Sequence, residues 1–259
     1  MDESKLLEVA KQAAKKAGQV ILGYYGKKHK YFVKGEKSNF ATQADLDAEK
    51  IILKTLKDNF PKHNIISEEA GETQNGSEYT WVIDPLDGTI VFSVGLPTFS
   101  VSIGLLKDEK PILGVVYQAL MDNLYYSFEG QGAYLNGKKT AVSKTADLSD
   151  SVLGVDFAHM AKRMKKTQTY IMPFLNKIRY PVSLGGDALI FALVGNGVLD
   201  GFATDTNIWD CIAGAVIITE AGGRVTDGKG EEIDWSKKRL EIVTSNGLIH
   251  DQILKVLNP

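Results

Sequence analysis

The chain has 259 residues, of which 44% are hydrophobic and 24% are charged. These fractions are typical of a globular protein, and the length allows one large domain or two smaller ones that share an interface. The net charge of −2 argues against a protein that binds nucleic acid through bulk positive charge. No apolar stretch approaches the length of a membrane span, so we expect neither nucleic acid nor a membrane as a partner.

Cysteine and histidine usage narrows the chemistry further. Cys211 is the only cysteine, so no intramolecular disulfide can form, which fits a reducing compartment. The N-terminus is polar and has no signal-peptide pattern, so we expect a cytoplasmic protein. The four histidines are scattered without the spacing of zinc ligands, which argues against a zinc site of the His/Cys kind.

The first half begins with helical periodicity and then changes to short strands. An amphipathic helix is predicted over residues 5–24, followed by a lysine-rich exposed hairpin or loop that ends near Asn39. A second helix is predicted from Ala44 to Asn59. Asn136-Gly137 predicts a tight turn. The predicted strands are Ile65–Ile66, Trp81–Ile83, Phe99–Leu106, Ile112–Tyr117 and Leu124–Phe128.

The second half mixes helices and strands. The patterns predict strands at 152–157, 199–204 and 241–244 and helices near 160–178, 187–195 and 209–221, with a further helix at the C-terminus. Gly222-Gly223 is a natural end for the helix at 209–221. We interpret the basic residues of the helix near 160–178 as a solvated face; they are Lys162, Arg163, Lys165 and Lys166.

The most informative local motif is Asp84-Pro85-Leu86-Asp87-Gly88-Thr89. A predicted strand delivers Asp84 at its end, and Pro85 cannot continue a central ladder. If residues 84–87 coil into a helical turn, both carboxylates point the same way. Gly88 permits close approach of an anion, and the amides of Gly88 and Thr89 would begin a helix that favours phosphate. Taken alone, an ordinary Asp-Gly turn with surface aspartates explains the motif equally well.

Two other segments present acids in the same way. Ser67-Glu68-Glu69 follows a predicted strand, and Asp210 lies at the start of a predicted helix, where it could simply cap the N-terminus. If Glu68, Asp84, Asp87 and Asp210 converge, each pair about 4 Å apart repels by roughly 4 kcal/mol at an effective dielectric of 20. No lysine or arginine neighbours the four in sequence, so the counter-charge would be an oxygen-preferring cation, Mg²⁺ or Mn²⁺.

These segments resemble the inositol monophosphatase family, in order and across nearly the whole chain. Supporting matches are Ala41-Thr42 leading to Asp45, Gly130-Gln131-Gly132-Ala133 with Asn136-Gly137, Ala213-Gly214, and Glu220-Ala221-Gly222-Gly223. The resemblance implies an α/β fold, a layered αβαβα sandwich of alternating helix pairs and sheets. It also implies an N-terminal α+β half (1–145) that carries most metal ligands and a C-terminal α/β half (146–259) that carries Asp210 and the substrate pocket.

The resemblance implies a role for each motif residue. A first metal would be held by Glu68, Asp84 and the Leu86 carbonyl, and a second by Asp84, Asp87 and Asp210. Glu68 would also touch a third, weaker metal. Thr89, held by Asp45, would orient the attacking water, and the backbone of Gly88 and Thr89 would bind the phosphate. The lysine-rich segment, through Lys34 or Lys37, resembles a mobile loop that closes near the third metal. The implied activity is Mg²⁺-dependent hydrolysis of inositol 1-phosphate or a related sugar phosphate by metal-activated water, in a lithium-sensitive homodimer.

Three departures from the family pattern concern the substrate pocket. Val91 stands where the family usually has Asn, and Ala203 stands where inositol-specific members usually have Glu, with Asp205 two residues along as a substitute. The small segment that lines the sugar pocket reads Gly185-Gly186-Asp187, in which Asp187 could bind a polyol hydroxyl or cap a helix. The sequence therefore leaves open a fructose bisphosphate, another sugar phosphate, a nucleotide 3′-phosphate and histidinol phosphate.

Other classes of protein fit less well. An inactive regulatory protein with the same fold is an alternative, although all predicted ligands, Thr89 and Asp45 are present. Gly195-Asn196-Gly197 lacks the spacing of a dinucleotide-binding motif, which disfavours an oxidoreductase, and no phosphate-binding loop of the kinase type occurs.

Overall fold

The computed structural model describes residues 3–259. None of the helices in that range has the length and apolar character needed to cross a lipid bilayer. The α-helices are α1 (Glu3–Tyr24), α2 (Gln43–Asn59), α3 (Thr89–Ser93), α4 (Met160–Lys166), α5 (Asp187–Gly195), α6 (Ile208–Glu220) and α7 (His250–Leu257). The strands are β1 (Tyr31–Lys34), β2 (Glu36–Thr42), β3 (Asn64–Ser67), β4 (Gly71–Thr73), β5 (Tyr79–Asp87), β6 (Ser100–Lys107), β7 (Lys110–Gln118), β8 (Asn123–Phe128), β9 (Gly132–Leu135), β10 (Lys138–Lys139), β11 (Val152–Gly154), β12 (Tyr180–Val182), β13 (Gly201–Asn207), β14 (Arg224–Thr226) and β15 (Arg239–Ser245).

A large sheet forms the second layer of the molecule. Its strand order is β10-β9-β8-β7-β6-β5-β3-β4, and every pair is antiparallel except β3 with β5. Helices α1 and α2 cover one face and bury small and branched residues such as Ala13, Ala17 and Ile52 against it. Residues of both helices and of the large sheet therefore share one buried apolar cluster.

Helices α5 and α6 form the middle layer, against the opposite face of the large sheet. The approach of α6 is close because two strands carry glycine where they meet it. A Cβ on Gly104 would lie 2.2 Å from Ile212 Cγ2, and a Cβ on Gly114 would lie 2.1 Å from the carbonyl oxygen of Ala213. Residues of α6 and of the large sheet share one buried apolar cluster. The backbone of α6 therefore sits directly on the sheet.

A smaller sheet, with strand order β12-β11-β13-β15-β14, forms the fourth layer. Its β12–β11 and β11–β13 pairs are parallel and the others antiparallel. One face packs on α5 and α6 through residues such as Phe202 and Ile242, and the other packs on α7 and on the helical stretch near Phe174. These five layers confirm the predicted αβαβα sandwich. The two predicted halves, 1–145 and 146–259, stay a prediction.

The structure corrects several predicted elements. The helix predicted near 160–178 is an α-helix only to Lys166; a π-helical turn and a 3₁₀ turn follow and end at Phe174. The strand predicted at 152–157 ends at Gly154. The lysine-rich segment is a hairpin of β1 and β2, one of the two forms predicted. The sequence patterns missed β4, β9, β10, β12 and β14, all of two to four residues.

Candidate active site and metal centre

Strand β5 presents Asp84 and Asp87 on one side of the large sheet by means of a β-bulge. Asp84 pairs with Ser102 and Asp87 with Ser100, so three steps along β5 match two steps along β6. In a regular strand, residues three apart would point to opposite faces; the extra residue restores them to the same face. Our expectation of a helical turn at 84–87 was therefore wrong, although both carboxylates do point the same way.

Asp210 approaches the same place from the middle layer. It is the third residue of α6, and its Oδ2 accepts a hydrogen bond from the backbone amide of Asn207 at 3.0 Å, which caps the helix. The hydroxyl of Thr206 lies 2.8 Å from the same oxygen. The predicted helix start is correct, and capping uses one of the two carboxylate oxygens.

The three aspartates form a compact cluster. One oxygen each from Asp84, Asp87 and Asp210 lies within 4.8 Å of the other two. Asp84 and Asp87 are buried and Asp210 is partly buried. Burial, and then the neighbouring carboxylates, raise the pKa of Asp84 well above its usual value, that of Asp87 to about 7 and that of Asp210 to about 6. Such a cluster of charged oxygens needs compensating positive charge, and its all-oxygen donor set fits a hard divalent cation.

Hydrogen bonds fix the two aspartates of β5. Asp84 Oδ1 accepts from the Leu86 amide at 2.9 Å. Asp87 Oδ1 accepts from the Asp187 amide at 2.9 Å, and its Oδ2 accepts from the Leu189 amide at 3.3 Å. These last two amides belong to the N-terminus of α5, where unpaired amides favour a negative charge. The large sheet and α5 are thereby joined at the cluster.

Glu68 lies beside this cluster but is paired with a lysine. Lys34, on β1, places its Nζ 3.0 Å from Glu68 Oε1 and also contacts Glu69 Oε1. Burial opposes the charge on Lys34, but Glu68 and Glu69 outweigh it and raise the lysine pKa. Of the two lysines that we expected near the third metal, Lys34 is the one that reaches the acids. The nearest cation to Glu68 therefore comes from a residue distant in sequence.

A further buried carboxylate, that of Asp45, holds the side chain of Thr89 at the cavity wall. Asp45 Oδ1 accepts a hydrogen bond from Thr89 Oγ1 at 2.9 Å, and its Oδ2 accepts from the amide of Thr42 at 2.7 Å. Thr89 Oγ1 also lies 3.1 Å from the carbonyl oxygen of Leu86. Burial raises the pKa of Asp45 to about 6. The predicted pairing of Thr89 with Asp45 is thus present as a hydrogen bond.

Gly88 connects β5 to the short helix α3. Its φ is +85°, a left-handed conformation that glycine adopts without strain, and it precedes Thr89 as the N-cap of α3. A Cβ at this position would also lie 3.1 Å from the carbonyl oxygen of Thr98. The predicted helix start at Thr89 is confirmed, and the first residues of the helix line the cavity of about 470 Å³ that holds the aspartate cluster.

The Gly185-Gly186-Asp187 segment also borders this cavity, and Gly185 packs against α3. A Cβ on Gly186 would lie 2.5 Å from Asp87 Oδ2, and a Cβ on Gly185 would lie 2.3 Å from Val91 Cγ1. Val91 therefore packs against a residue of the predicted sugar segment. Asp187, the first residue of α5, is buried; its Oδ2 accepts from Thr206 Oγ1 at 2.7 Å, whereas its Oδ1 has no protein partner.

Two charged residues of the cavity wall differ from the interpretation of the sequence. Lys166 is not part of a solvated face: its side chain is 6% exposed, its Nζ contacts Asp156 Oδ2, and it lies 3.8 Å from Asp187 Oδ2. Asp205 is already engaged, because Arg239 Nε lies 2.6 Å from its Oδ1. An ion pair therefore occupies the acid that was expected to substitute for the missing Glu.

Sequence reasoning missed Glu49, Asp156, Lys166 and Thr206. Glu49 Oε1 accepts hydrogen bonds from the hydroxyl of Ser67 and from the amide of Ala70, at 2.9 Å for the amide, and so holds the loop that carries Glu68. Its position four residues after Asp45 on one helix was a usable signal, because such residues share a face. Lys166 and Asp156 offered no such signal, since their burial depends on how α4 packs.

Comparison with known proteins identifies the family. The family model for the inositol monophosphatase family matches residues 2–258. The chain belongs to the inositol monophosphatase family. The protein is therefore a phosphoric monoester hydrolase, and the alternative of an inactive regulatory protein is set aside. The inositol monophosphatase family is metal-dependent, which agrees with an acidic cluster that could hold a metal ion.

Individual relatives agree in sequence and in fold. A protein of Aquifex aeolicus named fructose-1,6-bisphosphatase/inositol-1-monophosphatase is 38% identical over 261 residues, covering 97% of this chain and 95% of that protein. Inositol monophosphatase 3 of Solanum lycopersicum is also 38% identical and covers 98% and 97% of the two chains. The crystal structure of the extragenic suppressor protein suhB from Bartonella henselae matches with a TM-score of 0.91, 33% identity and 98% coverage of each chain. The inositol monophosphatase from Anabaena matches with a TM-score of 0.86, 33% identity and coverage of 98% and 96%.

Proposed function

We propose that this enzyme is a Mg²⁺-dependent phosphomonoesterase whose substrate is inositol 1-phosphate or a related small sugar phosphate. The observation that carries the proposal is the cluster of Asp84, Asp87 and Asp210 at the wall of the cavity. Three acids at this spacing raise one another's pKa and have no cation among themselves, which is the charge pattern that a divalent metal site requires.

The residues are assigned to two or three ions, with Mn²⁺ as an alternative to Mg²⁺. Glu68, Asp84 and the Leu86 carbonyl are proposed for the first, Asp84, Asp87 and Asp210 for the second, and Glu68 for a third. Bound magnesium would supply Lewis acidity, which acidifies water and neutralises charge that builds up on the phosphoryl group.

The chain's own groups then position the reactants. Thr89 Oγ1 donates to Asp45, which fixes the lone pairs of the hydroxyl toward the cavity and lets it accept a hydrogen bond from the attacking water. The amides of Gly88 and Thr89 donate to the phosphate oxygens, as at other helix starts. Gly185, Gly186, Asp187 and Asp205 are proposed to border the alcohol part of the substrate.

A phosphate-release assay tests this proposal directly. The wild-type protein, with Mg²⁺, Mn²⁺ or a chelator, is offered inositol 1-phosphate, fructose 1,6-bisphosphate, a nucleotide 3′-phosphate and histidinol phosphate. Asp84→Asn should lower turnover by at least about 10³-fold, because a neutral amide cannot hold the cation. The matched control is Asp150→Asn at an exposed position. Full turnover in Asp84→Asn, or with the chelator, contradicts the proposal.

Fructose 1,6-bisphosphate is the second candidate substrate. Relatives from Aquifex aeolicus and Thermotoga maritima carry both activities in their names.

We also propose a cytoplasmic homodimer that lithium inhibits, and a division into halves 1–145 and 146–259. Sedimentation velocity tests the dimer, and inhibition by millimolar lithium at low Mg²⁺ tests the sensitivity to this ion.

A further inference from the structure

One wall of the cavity contains a buried ion network formed by Lys166, Asp156 and Asp187, of which the proposed function uses only Asp187. Lys166 ends α4 and extends its side chain inward between Asp156 and Asp187. Its side chain is 6% exposed, so the ammonium has left bulk water for this position. A buried lysine costs free energy unless it is paired, which marks the position as one that the fold holds in a fixed geometry.

The network lies next to the proposed reaction centre. The Asp187 amide donates to Asp87, and the Thr206 hydroxyl lies between Asp187 Oδ2 and Asp210 Oδ2, at 2.7 and 2.8 Å. Lys166, Asp156 and Asp187 all line the cavity that holds the aspartate cluster. A group attached to a phosphate bound at that cluster would therefore meet these side chains.

The network contains one hydrogen-bond donor, on Lys166, and one acceptor, on Asp187, that have no protein partner. The lysine ammonium has three N–H bonds, and its two carboxylate neighbours use at most two of them. Asp187 Oδ1 is buried without a protein partner, and a buried polar atom of this kind needs a hydrogen-bond partner. Asp205, another acid of the cavity wall, is already paired with Arg239.

Adjacent hydroxyls satisfy such a pair of groups. One hydroxyl can accept from the ammonium while its neighbour bonds to the carboxyl oxygen. A second phosphate in their place would face Asp156 and Asp187, whereas a substrate ammonium would lie beside Lys166 and could not accept its hydrogen bond. A neutral pair of hydroxyls is therefore the substituent that fits.

We propose that Lys166 and Asp187 are specificity-determining residues that bind two neighbouring hydroxyl groups of a polyol monophosphate. The proposal rests on the proposed phosphatase function and narrows its substrate class to uncharged vicinal diols. Asp156 acts as a positioning residue, because it holds the lysine ammonium at the cavity wall.

Substrate discrimination tests the proposal. The probes are myo-inositol 1-phosphate, cyclohexyl phosphate, which has the same ring without hydroxyls, and histidinol phosphate, which carries an ammonium group. The wild type should prefer the inositol ester over the cyclohexyl ester in kcat/KM. Lys166→Met should reduce that preference by about ten- to hundredfold, the effect of losing one hydrogen bond to a charged group. It should also raise kcat/KM for histidinol phosphate relative to the inositol ester.

Two further variants keep the result interpretable. Lys165→Met, at the exposed neighbouring position on α4, should leave the substrate preference unchanged. Asp187→Ala should reduce the substrate preference as Lys166→Met does, and it leaves no unpaired carboxylate at position 187. It replaces Lys166→Met in the test if that variant does not fold, and circular dichroism shows whether each variant is folded.

The outcomes separate the two proposals. A folded Lys166→Met or Asp187→Ala protein whose preference lies within twofold of the wild type refutes the role of the network while leaving the phosphatase function intact. A wild-type protein that releases no phosphate from any of the three esters with Mg²⁺ refutes the proposed function and this inference together. Reduced preference in both variants, with Lys165→Met unchanged, supports the inference.

Discussion

Magnesium should stabilise this protein more strongly at pH 8 than at pH 5, because metal binding and protonation compete for the same carboxylates. Asp87 has a pKa of about 7, raised chiefly by burial, and Asp45 and Asp210 have values of about 6. A raised carboxyl pKa means that the folded protein binds protons that the unfolded chain has released. The stabilisation that these bound protons give to the metal-free protein is complete below pH 4 and is lost as the pH rises through the folded pKa.

The magnitude follows from the pKa of Asp87 alone. Each pH unit between the unfolded and folded pKa changes the free energy of unfolding by about 1.4 kcal/mol per group. Because Asp87 is half titrated at pH 7, the metal-free protein should lose about 2 kcal/mol through this group between pH 5 and pH 7. The proposed magnesium ions would bind the deprotonated carboxylates and should offset this loss when saturating.

The assay is urea unfolding at several pH values, once with excess Mg²⁺ and once with a chelator. The difference between the two free energies of unfolding isolates the site, because groups elsewhere contribute equally to both. One such group is His250, which is bonded to Ser245 and Thr226 and has its pKa lowered to about 4 by burial. Through Asp87, the difference should grow by about 2 kcal/mol from pH 5 to pH 7.

Matched variants define what would refute this reasoning. Asp87→Asn should flatten the pH dependence of the magnesium effect, whereas the exposed Asp150→Asn should not. A magnesium effect that is constant from pH 5 to pH 8, or that decreases, would show that these carboxylates do not exchange protons for metal.

Three further predictions concern the hydroxyl of Thr89, the contact of Gly114 with helix α6 and the hairpin of β1 and β2. Thr89→Ser should retain most of kcat because it keeps the hydroxyl that bonds to the buried carboxylate, whereas Thr89→Val should lower kcat by about 10²-fold or more with little change in the melting temperature. Gly114→Ala should destabilise the fold by about 1–3 kcal/mol in thermal unfolding, because its Cβ would meet the carbonyl oxygen of Ala213. Gly23→Ala, in helix α1 with open space around it, should instead stabilise by roughly 0.5–1 kcal/mol; equal effects of the two would contradict the packing argument. Ser38→Ala removes the hydroxyl that accepts from the Met160 amide and should speed hydrogen exchange in the hairpin at 31–42 but not in α7; unchanged exchange would mean that this bond does not hold the hairpin.

The long elements were predictable because their patterns repeat often enough to be recognised. Helices α2, α5 and α6 start within one residue of the prediction. Strands such as β4 and β10 have two or three residues at a sheet edge, which is too short for a period of two to register. The irregular helical stretch after Lys166 also escaped prediction, because its π and 3₁₀ turns follow from packing rather than from a repeating pattern.

The site residues that belong to short sequence motifs could be predicted, whereas those whose position depends on tertiary packing were missed. Acids at strand ends and at a helix start anticipated the convergence of Asp84, Asp87 and Asp210, because those ends meet at one edge of the layers. The bulge at 84–87 was not foreseen, since its register is set by the neighbouring strand. Lys166 was misjudged because four basic residues within five positions, 162–166, do not indicate which one turns inward.

The position of α6 between the two sheets links core packing to chemistry. Its first turn carries Asp210, while its middle rests on Gly114 of the strand next to β6, which in turn pairs with the strand of Asp84. The helix thus works as a spacer that sets how far apart the carboxylates stand. A larger residue at this contact would move α6 away from the large sheet and increase the distance from Asp210 to the aspartates of β5. The affinity for the cation should therefore fall at substitutions that are too mild to unfold the protein.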